Sequence, residues 1–166
     1  MAKSITLQMP TGTDANFRSF IAKVQALAVD VCLSSAGLAI GTGSKKKVKV
    51  VNDTRYTANG VMGLVAAASE VTLAGTITNA KFNVYVISVT SAGVVSAAMG
   101  TEGATLGAVV FPTVPADSAV LGFVIVNPTG TGNFVGGTTD LDDGTVVPNA
   151  VYVNTPFPFN MNLMTV

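Results

Sequence analysis

No histidine and no tryptophan occur among the 166 residues, cysteine occurs once, and charged residues make up only 11%. Without histidine, Ser-His-Asp and Cys-His catalysis fall away, and so does the commonest metal ligand. A single thiol, Cys32, builds neither an intrachain disulfide nor a thiolate zinc or iron–sulfur site. It sits in an apolar pattern and reads as a small buried hydrophobe. No glycine loop followed by Lys-Ser/Thr is there to cradle phosphate. A carboxylate-dependent hydrolase remains conceivable, but the few carboxylates fall mostly at turns. The expectation is a protein that is not an enzyme and holds no cofactor and no metal.

Charge excludes further classes. Nine basic and nine acidic residues cancel to a formal net of zero. Such a surface attracts neither nucleic acid nor an anionic membrane at long range. It also repels copies of itself weakly, so much of it is expected to be covered in use. No run of 18 apolar residues suits a transmembrane helix. The start, Met1-Ala2-Lys3-Ser4-Ile5-Thr6, lacks the apolar core of a secretory signal, which predicts synthesis in a cytoplasm.

What is present is apolar, at 49% of residues, and patterned. Residues 1–12 read as an extended arm with Ile5, Leu7 and Met9 on one side. Thr13 and Asp14 suit a helix N-cap. Apolar residues then recur at Phe17, Ile21, Val24, Ala28 and Val31, a 4-3-4-3 spacing that Phe20 and Leu27 widen. This predicts one amphipathic helix ending near Leu33. Its stripe either packs on the rest of the chain or forms a seam between copies.

After Gly43 the period changes to two. Residues 81–90 form the clearest strand, Asn59-Gly60 marks a hairpin, and short strands recur every 8–12 residues between Gly and Pro turns. Further strands are expected at residues 108–111 and 145–147. The fold class predicted is mainly β: an antiparallel sandwich or barrel-like domain preceded by one N-terminal amphipathic helix. The division expected is an arm, helix and Gly-rich link at 1–43, a β domain at 44–155, and a Pro/Phe tail at 156–166. That tail holds Phe157 and Phe159, apolar residues suited to docking on a partner.

Three polar motifs carry two readings each. Gly41-Thr42-Gly43 precedes a strand and reads as a link rather than a phosphate loop. Lys45-Lys46-Lys47-Val48-Lys49 alternates like an edge strand with a solvated lysine face, or docks on an acidic partner. Asp140-Leu141-Asp142-Asp143-Gly144 reads as a turn; a weak calcium site is the alternative, lacking the twelfth-position Glu of a full loop.

The segments Phe111-Pro112-Thr113-Val114-Pro115-Ala116, Ala119-Val120-Leu121-Gly122-Phe123-Val124-Ile125-Val126-Asn127 and Thr138-Thr139-Asp140-Leu141-Asp142-Asp143-Gly144, the last leading to Val151-Tyr152-Val153-Asn154, form a recurring texture of strands and turns. Val84-Tyr85-Val86-Ile87-Ser88-Val89 with Ser91-Ala92-Gly93-Val94-Val95 fits it too. This texture, over residues 45–155, resembles structural proteins of tailed-bacteriophage virions. It contains no catalytic signature. The resemblance implies a capsid decoration or head-fibre protein on the outer surface of the capsid, made in the host cytoplasm. Its partner would be the major capsid protein or another virion protein, and a homotrimer is expected. The alternative is a receptor- or glycan-binding module of a phage fibre. The lack of tryptophan counts against it, although Tyr56, Tyr85 and Tyr152 offer other rings for stacking. Particle co-purification in many copies favours the first reading, and a glycan array tests the second.

Overall fold

The computed structural model describes residues 14–147 and 150–157. It opens with helix α1, Asp14–Leu27. Short strands then follow: β1 (Val31–Cys32), β2 (Ala39–Ile40), β3 (Lys47–Lys49), β4 (Thr54–Ala58), β5 (Val61–Val65), β6 (Glu70–Thr72) and β7 (Thr76–Ile77). The longer β8 (Asn83–Thr90), β9 (Val95–Met99) and β10 (Ser118–Val126) come next, then β11 (Phe134–Val135) and β12 (Val151–Asn154). The strands form four sheets, ordered β12-β10-β8-β9, β1-β4-β5, β2-β3-β6 and β11-β7. Every pairing between these strands is antiparallel. The mainly β class and the single N-terminal helix are as the sequence predicts.

The four-stranded sheet is the spine. β8 is rich in valine and isoleucine, which suit a pleated buried surface, and Asn83 through Val89 are all buried. Tyr85, Ile87 and Val89 face the main core with Val48, Tyr56 and Ile77 from the smaller sheets and with Val50 and Leu73, which follow β3 and β6. The other face carries Val86, packed with Val114, Val120 and Phe123. The Pro-containing connector covers that face, setting Phe111 edge-on to Phe123 at 5.4 Å. Sheets therefore face one another across the core, a sandwich-like arrangement.

One strand path joins two sheets. β12 pairs with β10. The Thr155 hydroxyl then donates to the Val120 carbonyl at 3.1 Å. Pro156 bridges Cys32 in parallel, and the Phe157 amide donates to the Cys32 carbonyl at 2.6 Å. The Phe/Pro tail thus begins as an addition to β1.

Several expectations are corrected. The helix stops at Leu27, not near Leu33, and Val31 lies in β1, fully buried. The β4–β5 hairpin captures the chain here. The Thr57 hydroxyl donates to the Ala28 carbonyl at 2.7 Å, and the Gly60 amide donates to the Val29 carbonyl at 3.2 Å. Val29 and Val31 are β-branched and yield readily to that competition. The lysine run is not an edge: β3 is the middle strand between β2 and β6. Gly41-Thr42-Gly43 joins two strands, with the Thr42 and Gly43 amides both donating to Glu70 Oε1 at 2.9 Å. Strands therefore begin ahead of residue 44. Residues 108–111 give the end of a 3-10 turn, Leu106–Ala108, and an isolated bridge from Val110 to Thr101. Residues 145–147 form a turn because the Asp143 carbonyl accepts from the Val146 and Val147 amides.

Candidate interaction surface

The chemistry-bearing groups of this chain are tied to one another locally. Lys45 Nζ contacts Asp142 Oδ2 at 2.6 Å, and Lys47 Nζ approaches Glu70 Oε2 at 3.9 Å. Lys49 donates to the Thr42 hydroxyl at 3.2 Å. The Asp143 carboxylate accepts from the Thr145 hydroxyl at 2.6 Å and the Thr145 amide at 2.9 Å, which holds its pKa below the usual range. The acidic loop is thus a turn with an internal cap. Among the described residues no three His, Cys, Asp or Glu side chains come together as metal ligands. Cys32 is fully buried, and burial raises its pKa.

Two of the three tyrosines are inside, and Tyr152 is half-buried. Tyr56 and Tyr85 are 2% and 0% exposed, so neither ring is available to stack on a glycan. Tyr85 and Tyr152 flank Val124 across three strands, and both hydroxyls are buried without a hydrogen-bond partner among the described residues. Burial pushes the Tyr152 pKa up to about 12 and that of Tyr85 further in the same direction. Their folded values exceed the unfolded value of about 10. Stability is therefore intact below pH 10 and falls as pH rises through 12. Replacing both tyrosines with phenylalanine is expected to flatten that alkaline loss in melts at pH 9–12. At neutral pH the double variant should melt no lower than wild type, since an unsatisfied buried hydroxyl is removed.

Several large apolar side chains remain at the surface. Along α1, Phe17 and Phe20 are 38% and 60% exposed, Ile21 is half-buried, and Ala28 beyond the helix is exposed. Ala15, Arg18, Ser19 and Ala22 are exposed as well. Among the described side chains of this part of the helix, only Ile21 is partly covered. Of the five stripe positions, Phe17 and Ile21 remain on it and Val31 has moved to the core. The side chain of Val24 lies outside the described residues, as do Ile5, Leu7, Met9 and Phe159. Phe157 is described: its backbone is held against β1 while its ring is 53% exposed.

A second apolar surface lies at β5, the end strand of the β1-β4-β5 sheet. Asn59 and Gly60 have φ of 51° and 69°. Both are left-handed, the two-residue turn that suits a tight hairpin and favours glycine at its second position. Met62 opposes Thr57 and Leu64 opposes Arg55 on the outward face. They are 66% and 50% exposed, and Val61 is 52% exposed. Opposite Tyr56 stands Gly63, where a Cβ would lie 2.3 Å from the tyrosine Cζ, so the ring lies across the glycine. The sequence reading marked the turn but not this edge. The available signal was the absence of any charge from Val61 to Ser69.

Comparison with protein-family models, curated proteins and solved structures finds no match to this chain.

Proposed function

We propose that this chain is a non-enzymatic structural protein of a virion. In this reading copies associate through α1 as a trimer, and the β domains decorate or project from the outside of a capsid. The partner is the major capsid protein or another virion protein. The observation that carries the reading is that Phe17 and Phe20 are exposed on the described part of α1. Two heptads are too short to persist as an isolated helix, so neighbouring copies supply the missing contacts. Burying two phenylalanine side chains contributes about 3–6 kcal/mol per copy before ordering costs. The virion-like strand and turn texture of residues 45–155 and the neutral, charge-poor composition support the same reading.

The test replaces Phe17, Phe20 and Ile21 together with serine. Wild type is expected to scatter light at about three times the 16.8 kDa chain mass. The variant should fall to the single-chain mass with its β circular dichroism intact. Incubated with capsids, wild type should co-sediment in many copies per particle and the variant in few, because multivalency is lost. A monomeric wild type, or wild type that ignores capsids, removes the proposal.

A further inference from the structure

We infer that two copies of this chain pair edge to edge through β5, antiparallel about a two-fold axis at Gly63. The backbone directions decide the register. Leu33 N donates to Arg55 O at 2.8 Å, so the Arg55 carbonyl is turned toward β1. Alternation along β4 then turns Thr54, Tyr56 and Ala58 toward β5, where they meet Val65, Gly63 and Val61. The amides and carbonyls of Met62 and Leu64 are left pointing outward. No hydrogen bond reaches them from the described residues.

A second β5 fits that edge better than an unrelated strand does. With Gly63 opposite Gly63 of the other copy, each Met62 opposes a Leu64 as a hydrogen-bonded pair. All outward backbone groups of both residues are then used, in both copies. Neighbouring antiparallel registers leave one of the two residues without a β5 partner. The segment Val61-Met62-Gly63-Leu64-Val65 reads nearly alike in both directions, so apolar meets apolar at every position. It carries no charge, so two copies meet without repulsion. Nor does it contain the lysine, proline or bulge by which edge strands are kept from pairing. Met62 and Leu64 then pack beside their counterparts on one face, and Val61 beside Val65 of the other copy on the opposite face. A five-residue seam is small against the roughly 1,200–2,000 Å² of a stable interface. It therefore acts between copies that are already concentrated or held close.

The pairing concerns this chain alone and stands whether or not the virion reading does. Its test is a cross-link between two full-length variants, Met62→Cys and Leu64→Cys, oxidised at high protein concentration with oxidised glutathione. Opposed residues of a hydrogen-bonded pair lie about 5.5 Å apart between Cα atoms, within disulfide reach. Like residues would sit on the diagonal, about 7–8 Å apart, at or beyond it. Native Cys32 is fully buried and stays silent. Covalent dimer is expected in the mixture and not in either variant alone. Equal dimer in all three samples, or none in the mixture, overturns the inference. Repeating the mixture with chains lacking residues 1–12 should leave the cross-link unchanged. A cross-link that appears only after this truncation shows that the N-terminal arm holds the edge, and also overturns it.

Discussion

Gly63→Ala is expected to lower stability by about 2–3 kcal/mol, the cost of forcing a methyl into a filled site. In a chain of this size that is a fall in melting temperature of about 4–12 °C. The added Cβ would meet Tyr56 Cζ at 2.3 Å and the hydroxyl oxygen at 2.4 Å. Tyr56 is 2% exposed and packed in the main core, so its ring has nowhere to swing. The alternative relief, a shift of β5 away from β4, breaks the ladder at its centre. A double-mutant cycle identifies the cause. Tyr56→Leu alone should destabilise, but adding Gly63→Ala to it should cost much less than adding it to wild type. Equal costs in both backgrounds would show that the ring is not the obstacle.

Phe134→Ala is expected to cost about 3–5 kcal/mol, lowering the melting temperature by about 6–20 °C. Phe134 is fully buried and sits edge-on to Tyr85 with ring centroids 6.2 Å apart. Its strand β11 is only two residues long and, among the described residues, pairs with β7 alone, also two residues. Backbone pairing of that length holds little by itself, so the ring anchors the segment to the spine. Urea melts should show a lower midpoint. Limited proteolysis should show faster cleavage near residues 130–140, while β8 and β10 stay protected. Phe134→Leu, which keeps most of the volume, should lose far less.

The long elements were legible in the sequence because their evidence is local. β8 has eight residues, six of them strong β-formers, and Asn59-Gly60 states its turn chemistry outright. Where the sequence misleads, residues distant along the chain decide. α1 stops at Leu27 because Thr57 and Gly60 claim the carbonyls of Ala28 and Val29. Alternating Lys47 and Lys49 describe a strand with one solvated face, and an edge strand and a middle strand look alike in that respect. Glu70, some twenty residues on, makes the difference by bringing β6 alongside. The candidate surface was half legible. The stripe at Phe17 and Ile21 follows from spacing alone. The β5 edge does not, because strand order decides which apolar strand is last.

The path that carries residues 151–157 from β10 across to Cys32 also governs how the domain is made. Cys32 and Pro156 meet across more than 120 positions of chain, and the Leu38 amide donates to Asn154 Oδ1 across 116. Contacts of such long range slow folding, since loop closure must precede any reward. During synthesis β1 can pair with β4, but its other side waits until residue 157 is made. The hairpin β4–β5 assembles early, from adjacent residues, and its apolar edge is bare throughout that interval. Before residues 151–157 arrive, the β1-β4-β5 sheet is open on both sides; once Phe157 is bound to Cys32 its β1 side is closed and the β5 edge stays open.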